Sequence, residues 1–333
     1  MINQKINSYI GSISDFADVQ KFIKRNWKKK HILGKNKEFF KWLYVQNKRL
    51  NFSIVKKNNT IVGIMGFIPQ KKFDSKLSDN QIALTLSVTS KQAPPGTLLR
   101  LFSTLKKKFS IDFISSSGSW NSNLVDYNKL LGFNINTMDH FFILSKKKLK
   151  LINNIYKFKF NIKKTGKFKP INKNASEKKY KHLFVYKPKK SLKFIINRYL
   201  NHPIFNYEVY EIKNNYKIVC LLVIRLIKVK NENIIKIVDY QGQKRNIVYC
   251  GGLLNYLLQT YNPEFIDFVS NNFPKNLLYK VGFKNKLRFP KLILPDYVNP
   301  WVLKNIKIKC GIINDKKDNF LVMRGDGDRD CPN

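Results

Sequence analysis

A chain of 333 residues with 43% hydrophobic and 14% aromatic side chains carries enough apolar material for two domain cores and excludes general disorder. The net charge of +42 points at first to nucleic acid, yet only nine of the 63 basic residues are Arg, and the lysines are spread over nearly every segment among abundant Asn and Ile, as in an AT-biased coding sequence. Specific nucleic-acid readout, which favours the bidentate Arg fork, is therefore not expected, while loose, salt-sensitive attraction to anionic substrates or an anionic membrane face stays open.

In chain order, Ser12-Ile13-Ser14-Asp15 caps a helix with Phe16, Val19, Phe22 and Ile23 at helical spacing, and a second helix runs over 37–47 with Phe39, Phe40, Leu43 and Tyr44 on one side. Strand-like runs at 51–56 and 60–67 flank Asn58-Asn59, residues that tolerate the positive φ of a tight hairpin. A strand at 82–89 leads through the loop 90–96 into a helix over 97–109. A short strand at 111–115, a helix ending at Leu131, the Gly132-Phe133 break and a strand over 138–144 follow. The implied sheet is mixed, hairpins first and a β-α-β unit afterwards.

The stretch from Ser145 to Ser191 is basic and polar. The second half then repeats the order: a helix at 192–200, strands at 205–213 and 216–229 around Asn214-Asn215, a strand at 234–240, a helix at 251–261, a strand at 265–269, a helix at 275–281, and Gly282-Phe283. Corresponding landmarks lie 156 residues apart for Asn58 and Asn214, 152 for Ile82 and Ile234, and 150 for Gly132 and Gly282. Three similar offsets in one order indicate a structural duplication. We expect a first lobe over 1–150, a basic connector over 151–180 and a second lobe over 181–333 with an Asp-rich tail.

Cys220, Cys250, Cys310 and Cys331 show no CxxC spacing, so metal or redox use is not expected. Without an apolar leader core near the N-terminus, a cytoplasmic location is expected. The most apolar run, 218–227, is broken by Arg225 and too short to span a bilayer, and reads as a buried strand.

Tyr127-Asn128-Lys129-Leu130-Leu131-Gly132-Phe133, followed by Asp139-His140-Phe141-Phe142-Ile143-Leu144, resembles the end of a lobe of the GNAT (acyl-CoA N-acyltransferase) superfamily. Such lobes run helix-helix, hairpin, strand, loop-helix, strand, helix, strand and often close on Tyr-x-x-x-Gly-Phe. The resemblance spans roughly residues 10–145 and, more weakly, 180–300, and implies two tandem α/β lobes with acyl-CoA as co-substrate. Leu294-Pro295-Asp296-Tyr297-Val298-Asn299-Pro300 and the tail from Arg324 to Asn333 are similar to double-lobed proteins encoded among surface-polysaccharide and lipopolysaccharide genes. That similarity implies an amino-sugar or sugar-nucleotide acceptor.

An acyl-CoA site needs backbone N–H groups at a helix N-terminus for the pyrophosphate. In place of the family's Gln/Arg-x-x-Gly-x-Gly/Ala, this chain has Gln92-Ala93-Pro94-Pro95-Gly96-Thr97, in which Pro95 removes one donor and Gly96 and Thr97 keep theirs. The second-lobe equivalent, Gln241-Gly242-Gln243-Lys244-Arg245-Asn246, lacks the glycine pair, although Lys244 and Arg245 offer charge to a phosphate. The main chain of Leu86, Ser87 and Val88 is the expected oxyanion donor. The family's acid Tyr, four residues before the glycine of Gly-Phe, is replaced by Asn128 and Leu278, leaving Tyr127 or solvent for that task.

His140 is the candidate base, beside Asp139, with a structural strand histidine as the plain alternative. Asp239 is a candidate catalytic or acceptor-binding carboxylate, with capping of the next loop as its alternative. Trp27, Trp42, Trp120 and Trp301 are each able to stack on a sugar face, with core packing as the plain alternative, and Trp120 with Asn121, after a strand end, are the candidate acceptor contacts. Asp326, Asp328 and Asp330 alternate like the start of a calcium loop but lack its Gly and distal Glu, so no metal is expected. The leading expectation is acyl transfer in the first lobe with the acceptor held between lobes. Alternatives are a silent carbohydrate-binding or scaffold protein and an aminoacyl-tRNA-dependent transferase.

Overall fold

The computed structural model describes residues 5–152, 156, 158–298, 301–314 and 319–330; Asn299-Pro300 and the tail from Cys331 lie outside them. The first half forms β1 (Ile6–Ser12), α1 (Phe16–Asn26), α2 (Ile32–Lys35), α3 (Lys37–Tyr44), β2 (Val45–Gln46), β3 (Arg49–Lys57), β4 (Thr60–Pro69), β5 (Gln81–Thr89), α4 (Thr97–Lys108), β6 (Phe113–Gly118), α5 (Ser122–Leu130), β7 (Asn134–Thr137) and β8 (Asp139–Leu144). The rest forms β9 (Lys167–Pro170), α6 (Leu192–Ile195, extended by a π turn over Ile196–Leu200), β10 (Tyr207–Asn214), β11 (Lys217–Val229), β12 (Glu232–Gly242), α7 (Gly251–Tyr261), β13 (Phe265–Asn271), α8 (Lys275–Val281), β14 (Lys284–Asn285), β15 (Lys309–Asn314) and β16 (Val322–Met323).

The turn chemistry anticipated from the sequence is in place. Asn58, Asn59 and Asn215 take positive φ at the two hairpins. Gly132 and Gly282 follow α5 and α8 at φ +89° and +109°, a left-handed stop that any side chain would strain.

These elements build two mixed eight-stranded sheets, ordered β1-β3-β4-β5-β6-β15-β7 with β2 beside β3, and β14-β8-β13-β12-β11-β10-β9 with β16 beside β13. Each sheet borrows a strand. β15, from the C-terminal part of the chain, stands between β6 and β7, and β8, from the N-terminal half, stands between β13 and β14. Among the described residues, the compact units accordingly comprise 5–135, 310–314 and 327–330, and those within 136–309 and 319–326. The contacts thus divide the chain near 135, where the sequence reading set 150, and the tail contributes to both units. Within the expected connector, β9 pairs with β10.

In the first unit α4 buries Leu101, Phe102 and Leu105 against Val55, Val62, Met65 and Ile82. The second unit packs Leu253, Leu254 and Leu257 of α7 and Leu278 of α8 against Leu222, Ile224, Ile235 and Phe268. No helix among the described residues is long and apolar enough to cross a membrane. The run 218–227 is part of β11, and its buried Arg225 stacks 3.2 Å from the centre of the Phe205 ring.

Candidate active site

In the first unit β5 and β6 pair in parallel only from Gln81 and Phe113 to Leu84 and Ser116. Past that point they part. Across the other edge of β5, the register with β4 moves from Phe67 opposite Leu84 to Met65 opposite Ser87, so one extra residue at Thr85–Leu86 bulges where the strands separate. A bulge re-aims the local main chain and frees it from the ladder. Among the described residues, Leu86–Thr89 make no hydrogen bond toward β6. The expected oxyanion strand, Leu86, Ser87 and Val88, thus lines the mouth of a V-shaped opening.

The loop after β5 delivers a helix N-terminus. Gly96 adopts φ +75° as the residue before α4, and the Thr97 hydroxyl and amide both bond to the Pro94 carbonyl, at 2.6 and 3.2 Å. One of the two donors expected here is therefore spent within the loop. Among the described residues, the amides of Gly96, Leu98 and Leu99 have no internal acceptor. Three N–H groups and the helix dipole make an anion seat. Gly63 lets α4 approach this closely: a Cβ there would stand 2.6 Å from the Thr97 methyl.

A cavity of about 590 Å³ adjoins the loop, lined by Lys21, Arg25 and Asp18 of α1 and by Thr89, Ser90, Lys91 and Gln92 among others. Gln92 thus lines the cavity. Three cations against one carboxylate favour an anionic guest.

Tyr127 lies on α5, one residue before the position the family uses. Its hydroxyl is buried with no hydrogen-bond partner among the described residues, and burial pushes its pKa up to about 12. Such a phenol stays protonated and is able to donate. Trp120 is half-buried, with its ring where a Cβ on Gly311 of β15 would meet it at 3.1 Å. Asn121 caps α5, accepting from the Leu124 amide at 2.9 Å.

The other two candidates, His140 and Asp239, belong to the second unit, which repeats the design with a different filling. β12 and β13 pair from Ile235 and Ile266 to Ile237 and Phe268, then part, and Val238 is the extra residue against β11. Here the opening is bridged by the chain itself. Val322 and Met323 pair with Asn271 and Ser270 of β13, and the Gly325 amide donates to the Val238 carbonyl of β12 at 2.8 Å.

A buried charge cluster fixes that bridge. Oδ2 of Asp267 receives Lys236 Nζ at 2.6 Å, His140 Nε2 at 2.9 Å and Arg324 Nη2 at 3.1 Å, while Arg324 also holds Asp296 at 2.8 Å. Burial alone would raise the Asp267 carboxyl, but Arg324, Lys236 and His140 hold it well below the usual range. Burial lowers Lys236 to about 8 and moves His140 below its ordinary 6.5, Asp267 notwithstanding. Asp139, the expected partner of His140, instead pairs with Lys275 at 3.0 Å.

Asp239 is fully buried. Lys190 and Tyr199 occupy its Oδ2 at 2.7 Å each, and Gln241 and the Tyr240 amide its Oδ1 at 2.8 Å each. Lys190 also pairs with Asp326 at 2.8 Å; two carboxylates share one ammonium, and burial together with the Asp239 charge pushes Asp326 up. Lys244 bonds the Phe320 carbonyl at 3.1 Å and sits over the Tyr186 ring, so its charge serves the bridge. Sequence reasoning did not connect Lys190, Lys236, Arg324 and Asp267, because charged residues in strands and tails carry no signal of shared burial. No group of three or more potential metal ligands occurs among the described residues.

More than nine-tenths of the chain (92% and 94% in the two cases below) superposes on solved structures of one fold. It is similar to a GCN5-related N-acetyltransferase from Anabaena variabilis (TM-score 0.56, 8% identity, covering 92% of this chain and 72% of that one). It is likewise similar to a conserved Enterococcus faecalis protein described as a probable N-acyltransferase (TM-score 0.56, 7% identity, 94% and 74%). What the chain shares with these structures is the fold, here a mixed α/β architecture with two eight-stranded sheets. No protein-family model matches the sequence, and no curated protein matches it. At such identities the likeness concerns architecture, and the chemistry has to be argued from the side chains above.

Proposed function

We propose that the protein is an acyl-CoA-dependent N-acyltransferase whose working cleft is that of the first unit, with an amino-sugar or sugar-nucleotide amine as acceptor. One observation carries this reading: the parted strands β5 and β6, with a bulge at Thr85–Leu86, stand next to a helix N-terminus with three unspent amides and a cationic cavity. The pantetheine arm would pair with Leu86–Thr89, the pyrophosphate would take the amides of Gly96, Leu98 and Leu99, and Lys21, Arg25 and Lys91 would offset further phosphate charge. A main-chain N–H at the bulge would stabilise the tetrahedral oxyanion, and Tyr127 would protonate the departing thiolate. The amino-sugar acceptor follows the similarity to polysaccharide-gene proteins.

Isothermal titration with acetyl-CoA tests the reading. The expected result is one site per chain, weakened about tenfold by Arg25→Glu, the loss of roughly one charge contact. Absence of binding by acetyl-CoA and by longer acyl-CoAs would sink the enzymatic reading and leave the carbohydrate-binding one.

A further inference from the structure

β1 stands at the end of its sheet and pairs with β3 alone among the described residues. The Asn58 amide donates to the Lys5 carbonyl at 3.1 Å, which puts Lys5 at a hydrogen-bonding position of the antiparallel ladder. Down the same register the next such pairs are Asn7 with Lys56 and Tyr9 with Ile54. Ile6, Ser8 and Ile10 therefore turn their N–H and C=O groups away from β3, toward the open edge.

Sheets usually blunt such an edge with lysine, proline or shortness. β9, at one end of the second sheet, has Lys167, Lys169 and Pro170 in four residues, and β14, at its other end, has only two. β7 closes the far side of the first sheet with four. β1 has seven residues with neither a charge nor a proline, in a chain with 63 Lys and Arg. It is the longest of these edges and carries none of the usual protection.

The space beside it is bounded and charged. A cavity of about 750 Å³ lies between Ser8–Ile10 and the face of α4 that carries Arg100, Ser103, Lys107 and Lys108. Ile6 and Ile10 pack toward the core beneath α4, so Ser8 between them shares that side. Arg100, Lys107 and Lys108 are exposed and make no ion pair among the described residues, and no carboxylate of those residues lines the cavity. The cavity shares no lining residue with the one beside Gln92.

We propose that β1 accepts, as an added strand, an extended acidic segment of a partner protein, its main chain paired with Ser8 and Ile10 and its carboxylates over Arg100, Lys107 and Lys108. A second copy of this chain fits less well, because edge-to-edge pairing would bring two such cationic faces together in molecules of net charge +42. A nucleic acid would answer the cations but not the edge: phosphates donate no hydrogen bond to the Ser8 and Ile10 carbonyls, whereas a peptide supplies donors and acceptors in alternation.

Fluorescence anisotropy of a labelled Glu-Thr-Glu-Thr-Glu-Thr-Glu peptide with the full chain tests this, beside hydrogen–deuterium exchange over residues 6–12. Saturable binding is expected, with slowed exchange in β1 and no binding by the Lys-Thr counterpart. Ser8→Pro removes an outward N–H while leaving the β3 ladder intact, and should weaken binding about tenfold or more with the melting temperature nearly unchanged. Reversing two charges together, Lys107→Glu with Lys108→Glu, should weaken it by about tenfold. Blocking every second peptide amide by N-methylation gives two registers, of which one should lose binding, since a strand joins a sheet through one edge. That arm decides the matter even where Ser8→Pro unfolds the chain. The proposal is overturned if the acidic peptide shows no saturable binding, or if neither N-methylated register weakens it, the mark of a plain anion-attracting surface. It is equally overturned if exchange in β1 slows with protein concentration alone, the mark of a second copy on that edge.

Discussion

The two clefts start from one plan and end in opposite states. Each has a parallel strand pair that separates after a few residues and an extra residue where the parting begins, at Thr85–Leu86 and at Val238. In the first, Leu86–Thr89 make no hydrogen bond on the open side among the described residues; in the second, Val322–Gly325 bridges the gap and Arg324 is buried against Asp267 and Asp296. The hydrogen bond that an amide-bearing ligand would make to Val238 is already made by Gly325. A duplicated scaffold therefore does not imply duplicated chemistry, and the deciding feature is what fills the V.

The sharpest way to break this comparison is to empty the second cleft of its charge anchor. Asp267→Ala leaves Lys236 and Arg324 buried beside one remaining carboxylate, Asp296, and is expected to cost about 3–5 kcal/mol in chemical denaturation, the usual result of orphaning a buried ion pair. A milder disturbance tests the bridge. A Cβ at Gly325 would run into the Tyr199 hydroxyl and stand 2.9 Å from the Val238 carbonyl oxygen, so Gly325→Val should lower stability by about 1–3 kcal/mol. Acetyl-CoA stoichiometry in that variant should stay at one per chain. Two sites would mean that the second cleft is held shut by its own bridge and is otherwise competent.

Acid offers the smallest and most selective perturbation. Burial moves His140 below 6.5, and burial with the nearby Arg198 and Arg225 lowers His202 to about 3, so His202 is neutral in the fold near pH 7. A base with a depressed folded pKa contributes stability that is complete above its unfolded value near 6.5 and is lost as pH falls below it. Between pH 7 and pH 5 the melting temperature should drop, with a loss of about 1–2 kcal/mol traceable to His202. His202→Asn should flatten that limb.

Much of this architecture was legible in the sequence because it is written locally. Asn58-Asn59, Asn214-Asn215, Gly132 and Gly282 announce turns and helix stops through backbone conformations few other residues accept, and α1, α3 and α4 carry their apolar faces at helical spacing. The helix entry after β5 was legible too. Pro95 has no N–H, and the loop turns the Thr97 amide back on Pro94, while Gly96, Leu98 and Leu99 spend no amide on an acceptor among the described residues.

What escaped was non-local. β15 and β16 are short and lie in text without periodicity, and nothing in Lys309–Asn314 states that its partners are β6 and β7. His140 was read beside Asp139, its chain neighbour, whereas adjacent strand residues point to opposite faces; its partner is Asp267, which pairing with β13 brings to the same side. The bridging of the second cleft was equally hidden, because Arg324 and Gly325 look like any polar tail until β13 is in place.

The exchanged strands also bear on how the polypeptide is made. During synthesis the ribosome releases the N-terminal half first, yet its sheet stays interrupted at the flank of β6 until Lys309–Asn314 has emerged, and β8 waits for β13. The nascent chain must therefore carry an unfinished strand edge through most of its translation. A chain cut near its middle would be two incomplete sheets, each with a sticky border, which makes chaperone demand a property of the topology.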